Sequence, residues 1–399
     1  MYARRIYSMM MAGALFLMTG CSAEDVVKET TSEGAIAISF SCNYDDEEEG
    51  NMTRAGHQGV MNTEDLYATG FGVMASLTAG DAPDYDNIPS LMYNQKVKFT
   101  FVGDMADPLK GFWSYQPVKY WPTDLSHCYI SAYAPYVEPP IADAGTTTGI
   151  YGISANDVPP YVNYRRCEKP SEVVDLLWYY EKLTNIPAET AQQAAGTVAM
   201  KMHHALARLE IKLALASDPG TTKVLIEKIT LTGKMAKTGQ LHLYEQETET
   251  VGEGPGAVTR YYPVWSDQVF DKDGGGDDID HTIQITNVEN DAVSYGIIDS
   301  QVRYIEGLPY LWQPAGLSTA LQNALSTGDR TGYVYLIPQD NLELTVKVKY
   351  HKVTSGSDVP GVKTTESTLH IPPKPSEEAP YPPLKGNTTY TLNLTLSGI

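Results

Sequence analysis

The stretch ALARLEIKLAL, residues 205–215, alternates apolar and charged side chains. Leu209 and Ile211 fall on one face, and Arg208 and Glu210 on the other. A period of two predicts a β-strand with one buried and one solvated face. The same alternation recurs in AIAISFSC (35–42), FGVMASL (71–77), KVKFTF (96–101), HCYISAYAPY (127–136), VLIEKITL (224–231), HTIQIT (281–286), GYVYLIP (332–338), LELTVKVKY (342–350) and TYTLNLTL (389–396). The fold class expected is therefore all-β, with antiparallel sheets packed as sandwiches.

The small, polar stretch AETAQQAAG, residues 188–196, marks a domain boundary near Gly196. It predicts an N-terminal sandwich over residues 31–195 and a C-terminal sandwich over residues 196–399. Both are larger than a minimal sandwich, so long loops are expected at residues 139–160, 248–280 and 354–383. Helical spacing is confined to one short amphipathic segment, residues 317–325.

The N-terminus has the pattern of an export signal. Arg4 and Arg5 precede an apolar run, residues 9–18, that is too short to cross a bilayer. This predicts a signal peptide over residues 1–20. Met18-Thr19-Gly20-Cys21 then resembles a bacterial lipobox, in which Cys21 becomes the lipidated first residue and anchors the protein in the outer membrane. A plain secretory signal with an incidental cysteine is the alternative.

The net negative charge of the chain makes some classes of binding partner unfavourable. The 399 residues carry a net charge of −20, which disfavours nucleic acid and anionic lipid headgroups as partners. Beyond Cys21 the chain has Cys42, Cys128 and Cys167, an odd number without metal-ligand spacing. Buried thiols are expected rather than a disulfide framework.

No catalytic or cofactor motif is found, so we predict that the protein is not an enzyme and has no cofactor. His203 and His204 are adjacent, so on a strand their rings point to opposite faces and cannot share a metal. The loop DKDGGGDDID, residues 271–280, fails the EF-hand pattern. It is interpreted as a solvated acidic hairpin tip, with a different type of calcium loop left open. A glycosidase carboxylate pair is neither indicated nor excluded.

A candidate processing site follows the first predicted strand. The acidic run DDEEEG, residues 45–50, is expected to hold its loop in solvent, where proteases cut most easily. Arg54 and Ala55 then form an accessible basic cleavage site. The alternative is an exposed arginine in a linker.

Several of these segments together resemble the Bacteroides-type fimbrillins, which are Mfa-like and major subunits of type V pili. They are the lipobox, the site around Arg54, LYATGFGVMA (66–75), WPTDLSHCYISAYAPY (121–136), HHALARLEIKL (203–213), GYVYLIPQDN (332–341) and GNTTYTLNLTL (386–396). The likeness runs over most of residues 21–399, through motifs of moderate specificity.

This resemblance implies two transthyretin-like sandwich domains, export as a lipoprotein, and cleavage after Arg54 by an arginine-specific surface protease. Cleavage would release residues 21–54 with the removable strand that carries Ile36, Ile38 and Phe40. The groove left behind would accept a strand from another fimbrial subunit, which is donor-strand exchange. The implied partners are other fimbrial subunits, that protease, and a host or bacterial surface ligand, and the implied location is a surface fimbrium.

The C-terminal strand, with Tyr390, Leu392, Leu394 and Leu396, is followed by only three residues. Either it swings out as a donor, or the subunit accepts a donor and gives none. We expect the second, a tip or accessory subunit. The rival hypothesis is a surface glycan-binding lipoprotein of a polysaccharide-uptake system. Its sugar platform would be formed by Trp113, Tyr115, Tyr120 and Trp121, although core packing of these rings is the favoured interpretation.

Overall fold

The structure is a computed structural model that describes part of the chain. The described residues are 36–44, 61, 63–78, 87–102, 110–122, 126–139, 149–167, 174–186, 196–215, 222–286, 288–289, 292–293, 296–298, 304–306, 333–354 and 361–396. Within these ranges, no helix is long and apolar enough to cross a membrane. The predicted signal peptide, Cys21, Arg54, Ala55 and the predicted helix 317–325 lie outside them.

Strands make up most of the described chain, and the all-β prediction is confirmed. In the first half they are β1 Ser39–Tyr44, β2 Phe71–Thr78, β3 Met92–Phe101, β4 Gly111–Ser114, β5 Ser126–Ala134, β6 Gly149–Ile153, β7 Tyr161–Arg165, β8 Leu177–Ile186 and β9 Thr197–His204. A short helix that the sequence pattern did not predict, α1 Thr63–Thr69, precedes β2.

The second half continues with longer strands. They are β10 Ala207–Leu215, β11 Thr222–Gly233, β12 Thr238–Val251, β13 Val258–Val269, β14 His281–Thr286, β15 Val288–Glu289, β16 Ala292–Val293, β17 Gly296–Ile298, β18 Tyr304–Glu306, β19 Tyr333–Leu336, β20 Leu342–Thr354, β21 Gly361–Ile371 and β22 Thr388–Leu396.

The first large unit is a seven-stranded sheet in the order β1-β9-β8-β5-β2-β3-β4. The sheet curls, so that its edge strands β1 and β4 contact each other. It encloses a core to which nearly every strand contributes inward apolar side chains, among them Phe40, Phe71, Val97, Ile130 and Met200. Such a closed arrangement buries one face of each alternating strand.

The second large unit is a sandwich of two sheets. One contains β18, β10 and β19, with β22 also paired to β10, and the other contains β14, β11, β20 and β21, with β17 paired to β11. Leu209 and Ile211 of β10 pack against Leu231 of β11 and Val346 of β20 in the core between them. The face predicted from ALARLEIKLAL is therefore the buried face at these positions.

A further sheet, in the order β13-β12-β7-β6, packs through a third core on the outer face of the seven-stranded sheet. It joins β6 and β7 to two strands from beyond residue 196, and β9 joins the seven-stranded sheet from the same side. The sheets thus contain strands from both sides of the predicted boundary, and the division at Gly196 stays a prediction.

Two details differ from the sequence-based expectation. The pairs β1–β9 and β10–β22 are parallel rather than antiparallel, because alternation reports which face is buried and not the direction of the neighbouring strand. The three predicted long loops are loops only in part, at residues 154–160, 270–280 and 372–383. They contain β6, β13 and β21, whose largely exposed or glycine-containing sequences weaken the alternation.

Candidate functional site at the edge of the seven-stranded sheet

The removable strand predicted at residues 35–42 corresponds to β1, which the structure places at the end of the seven-stranded sheet. It runs parallel to β9 over six positions, from Ser39 opposite Thr197 to Tyr44 opposite Met202. The strand therefore begins and ends later than predicted. The preceding residues pair elsewhere, because the Ile38 N–H donates to the Lys119 carbonyl at 2.8 Å and the Trp121 N–H to the Ile36 carbonyl at 3.0 Å.

The inward side chains of β1 and the residue before it fill the core. Ile38 is 2% exposed and Phe40 is 4% exposed, whereas Ile36 is half-buried. The Phe40 ring lies 6.2 Å from that of Phe71, edge to face, and 5.4 Å from that of Tyr115. The Tyr115 hydroxyl donates to the Ile38 carbonyl at 2.8 Å, and burial raises the pKa of Tyr115 to about 12. This segment is thus an integral part of the core.

Strand β9 is the hydrogen-bonded neighbour of β1 in the sheet. Among the described residues its ladder partners are β1 over six positions and β8 over two, Leu177 opposite His204 and Trp178 opposite His203. Val198, Met200 and Met202 point into the core. At its start, the Trp121 indole N–H donates to the Gly196 carbonyl at 3.1 Å. Gly196 has φ +72°, and a Cβ there would lie 2.6 Å from the Ile36 side chain, so both conformation and space favour glycine.

A buried contact between Asp175 and His204 holds the other end of β9. The Asp175 carboxylate lies 2.7 Å from His204 Nδ1, and these side chains are 0% and 1% exposed. The carboxylate also accepts the N–H groups of Met61 at 3.1 Å and Leu176 at 2.8 Å. Burial raises the pKa of Asp175, but the charge and hydrogen bond of His204 and the Met61 N–H outweigh burial, so the pKa is lowered.

The histidine pair behaves largely as predicted. His204 is buried, and His203 on the opposite face is half-buried, with its ring 5.4 Å from that of Tyr261. Sequence reasoning missed Asp175, because a single aspartate before a strand carries no pattern. Its role appears only when the fold brings residues 61, 175 and 204 together.

The predicted cysteine state is also found. Cys42, Cys128 and Cys167 are buried, and none forms a disulfide with another described cysteine. Burial raises the pKa of the Cys128 thiol to about 12, which keeps it protonated at neutral pH.

The C-terminal strand residues lie in β22, which pairs with β10 over nine positions. Leu392 and Leu396 are buried, while Tyr390 and Leu394 are half-buried against the same core. The Tyr390 hydroxyl accepts the Lys385 N–H at 2.9 Å, just before the strand begins.

The acidic loop, residues 271–280, forms a hairpin tip in which Asp271, Asp273 and Asp278 have partners within the protein. Asp273 accepts the N–H groups of Gly275 and Asp277, and Lys272 pairs with Asp278 at 2.6 Å. Asp271 pairs with Lys237 and His281. In the part of the chain that the structure describes, no group of three or more His, Cys, Asp or Glu side chains is arranged to hold a metal.

The aromatic rings of the rival sugar-platform hypothesis pack in the core instead, as the favoured interpretation expects, and Tyr120 is half-buried. Tyr115 and Trp121 are buried beneath β1, and Trp113 packs on Phe71 with ring centroids 4.8 Å apart. These rings belong to the core, because they close the curled sheet at the point where its edges meet.

Comparison with known proteins gives similarity over most of the chain. A fimbrillin-like family profile matches residues 53–398. Among solved structures, a fimbrial protein from Bacteroides vulgatus is 17% identical, with 91% of this chain and 96% of that chain covered and a TM-score of 0.47. Candidate cell adhesion proteins from Bacteroides uniformis (12% identical, 85% and 98% covered, TM-score 0.32) and Bacteroides ovatus (10% identical, 90% and 91% covered, TM-score 0.35) are also similar. A search of curated proteins found no match.

The family match thus runs from shortly after β1 to the end of β22, through all three cores. Since the match spans most of the 399 residues, this chain belongs to the fimbrillin-like family, whose members are structural subunits of fimbriae rather than enzymes.

Proposed function

We propose that this protein is a surface fimbrial subunit that becomes able to assemble when β1 is cut away and replaced by a strand from another subunit. The single observation that carries the proposal is the position of β1. It is the edge strand of its sheet, yet Phe40 and the preceding Ile38 are buried in the core. An edge strand can leave without breaking the pairing between the other strands of its sheet. Departure of β1 would also expose the apolar core that it covers.

Loss of β1 would create a groove with a strong preference for another strand. Six ladder positions on β9 would lose their partner, and unpaired backbone N–H and C=O groups beside an apolar core are costly. The burial of Ile38 and Phe40 is worth roughly 1.5–3 kcal/mol for each side chain. An incoming strand with apolar side chains at the same spacing would restore both the backbone hydrogen bonds and the apolar burial, as in other cases of strand addition.

The covalent link explains why the uncut chain would stay closed. While β1 is tethered to the body, its effective concentration at the groove is high, so a strand from outside cannot compete. Cleavage between Arg54 and Ala55 would fall between β1 and the buried Met61, and it would leave β2 to β22 on one chain. The family match begins at residue 53, which agrees with a body that excludes β1.

The N-terminal sequence pattern explains how the protein would reach the cell surface. In this proposal, the signal peptide of residues 1–20 directs export, and lipidation of Cys21 holds the precursor at the outer membrane. An arginine-specific surface protease then cuts after Arg54 and separates the body from the anchor. The subunit enters the fimbrium, where its adhesive ligand is a host or bacterial surface.

We place the subunit at the tip or in an accessory position, where it accepts a donor strand and gives none. The support is the attachment of β22, which is paired over nine positions and buries Leu392 and Leu396. Releasing this strand would open the second sandwich.

The test is substitution of Arg54 in the native host. Arg54→Ala and Arg54→Lys should both fold, remain uncut and be absent from sheared fimbriae, because the lysine preserves charge but not recognition by an arginine-specific protease. Immunogold labelling of the wild-type protein should mark fimbrial ends. Incorporation of either variant at the wild-type level would show that Arg54 is only a loop residue, and labelling along the whole fimbria would contradict the tip position.

A further inference from the structure

A cleft opens where β13 passes two segments of the second sandwich, residues 338–340 after β19 and residues 383–386 before β22. Its volume is about 440 Å³, which lies within the range of sites that bind small ligands. The lining residues that the structure describes all follow Arg54 in the chain, so cleavage there removes none of them.

Hydrogen bonds and close packing hold the walls of the cleft together. The Gln339 N–H donates to the Leu384 carbonyl at 3.2 Å, and the Leu384 N–H donates to the Gln339 carbonyl at 2.8 Å. The Gln268 side chain donates to the Pro338 carbonyl. Gly386 approaches β13 so closely that a Cβ there would lie 2.4 Å from a β13 side chain. The three segments therefore form one fixed cleft rather than separate loops.

The lining combines an aromatic ring with carboxylates. Trp265 is half-buried, and its indole N–H donates to the Ala205 carbonyl at 3.1 Å, which fixes the orientation of the ring. Glu247, Asp267 and Asp340 are exposed, and their carboxylates form no hydrogen bond or ion pair with another described side chain. The cleft thus offers a ring face beside hydrogen-bond acceptors that are open to a ligand.

The cation of the lining, Lys385, is already neutralised by the protein. Its ammonium lies 3.3 Å from the Glu249 carboxylate and 4.2 Å from the centroid of the Tyr262 ring. The Tyr262 hydroxyl donates to the same carboxylate at 2.9 Å. Among the described lining residues the remaining charges are therefore negative, so an anionic ligand would be repelled.

We propose that this cleft binds a neutral sugar of a surface glycan through Trp265, Asp267 and Asp340. A sugar ring has an apolar face that packs on an aromatic ring, and its hydroxyl groups donate to carboxylates. The inference rests on the proposed function, because it names the chemical class of the adhesive ligand. A basic side chain of a partner protein would also meet the carboxylates, but the cleft has room for more than one side chain, which favours a ring-shaped ligand.

The experiment measures binding of the full chain to an array of neutral glycans that end in glucose, galactose, mannose or N-acetylglucosamine. The array also carries counterparts that end in glucuronic or galacturonic acid. We expect binding to at least one neutral glycan and none to its uronic acid counterpart, which differs by one carboxylate. The dissociation constant of the bound glycan is then measured by calorimetry.

Asp267→Asn and Asp340→Asn should each weaken this binding about tenfold or more, because a hydrogen bond to a charged acceptor is stronger than one to a neutral acceptor. Asp267 has φ +47°, a left-handed conformation that asparagine also adopts, so this substitution removes the charge and keeps the backbone. The matched control is Asp157→Asn, an exposed residue that does not line the cleft, and it should leave the affinity unchanged. Urea midpoints equal to that of the wild type would show that each variant is folded.

Three results would overturn the sugar site. They are absence of binding to every neutral glycan of the array, equal affinity of both cleft variants and the wild type, and binding of a tetra-arginine peptide instead of any glycan. In the last case the affinity would fall steeply with added salt, whereas binding of a neutral sugar should change little.

These results leave the assembly mechanism untouched. Because the described lining residues follow Arg54, glycan affinity should be the same before and after cleavage. Entry of the Arg54 variants into fimbriae decides the proposed function separately, so failure of one proposal can be distinguished from failure of the other.

Discussion

The substitution Phe40→Ala tests whether β1 stabilises only the uncut protein. Phe40 is 4% exposed and lies between the rings of Phe71 and Tyr115 in the core of the seven-stranded sheet. Both neighbouring rings remain in the body after cleavage at Arg54, whereas Phe40 leaves with the released fragment. The same substitution should therefore have very different effects before and after cleavage.

The size of the effect follows from the burial of the side chain. Replacing a buried phenylalanine by alanine removes its transfer free energy and leaves a cavity, which together cost about 3–5 kcal/mol. The uncut Phe40→Ala protein should lose this amount from its free energy of unfolding. The body purified free of the fragment should be indistinguishable from the wild-type body, because residue 40 is no longer part of it.

The assay is equilibrium urea unfolding of the uncut chain and of the purified body, followed by tryptophan fluorescence. The matched control is Ser41→Ala, one residue along the same strand, where the side chain is exposed. This control should change the free energy of unfolding by no more than about 0.5 kcal/mol in either form.

Two results would refute the reasoning. If the uncut Phe40→Ala protein unfolds at the same urea concentration as the wild type, the Phe40 side chain of β1 does not stabilise the core. Removal of β1 could then open no groove. If the cleaved Phe40→Ala protein, measured before the body is separated from the fragment, loses as much stability as the uncut form, the fragment stays bound and cleavage alone does not clear the site.

Two further predictions concern the anchor and the buried carboxylate. Cys21→Ala should abolish incorporation of labelled fatty acid and release the precursor from the outer membrane fraction, and unchanged labelling would remove the lipoprotein proposal. Because the pKa of Asp175 is lowered in the folded state, its contribution to stability is present above the unfolded pKa of about 3.9 and is lost as pH falls through the folded value. Urea midpoints measured from pH 6 to pH 2 should therefore fall less steeply below about pH 4 in Asp175→Asn than in the wild type, and identical slopes would contradict the assignment.

The local pattern of the chain was sufficient to predict the fold class and the buried face of several strands. In β10 and β22 the alternation selects the side chains that the structure buries, Leu209, Ile211, Leu392 and Leu396. This succeeds because the side-chain period of a strand is two, and burial of one face is a local property. The core positions Ile38 and Phe40 were predicted for the same reason.

The neighbours of each strand could not be predicted in this way. Alternation is the same whether the adjacent strand is parallel or antiparallel, so the parallel pairs β1–β9 and β10–β22 became visible only in the folded chain. The aromatic segment from Trp113 to Trp121 shows the same limit. Its rings can form an exposed platform or fill a core, and it was the curl of the sheet that placed Tyr115 and Trp121 beneath β1.

Local patterns in the chain thus predict the all-β class, the export signal at the N-terminus and the resemblance of the motifs to those of fimbrillins. The folded chain is needed to show that β1 lies at a sheet edge, that β1 pairs with six residues of β9 within the described structure, and that the Asp175 carboxylate contacts both the Met61 N–H and His204. The physical reason is sequence separation. The Met61 N–H and the carboxylate that accepts it are 114 residues apart, and contacts over such distances depend on how whole sheets pack rather than on any local preference.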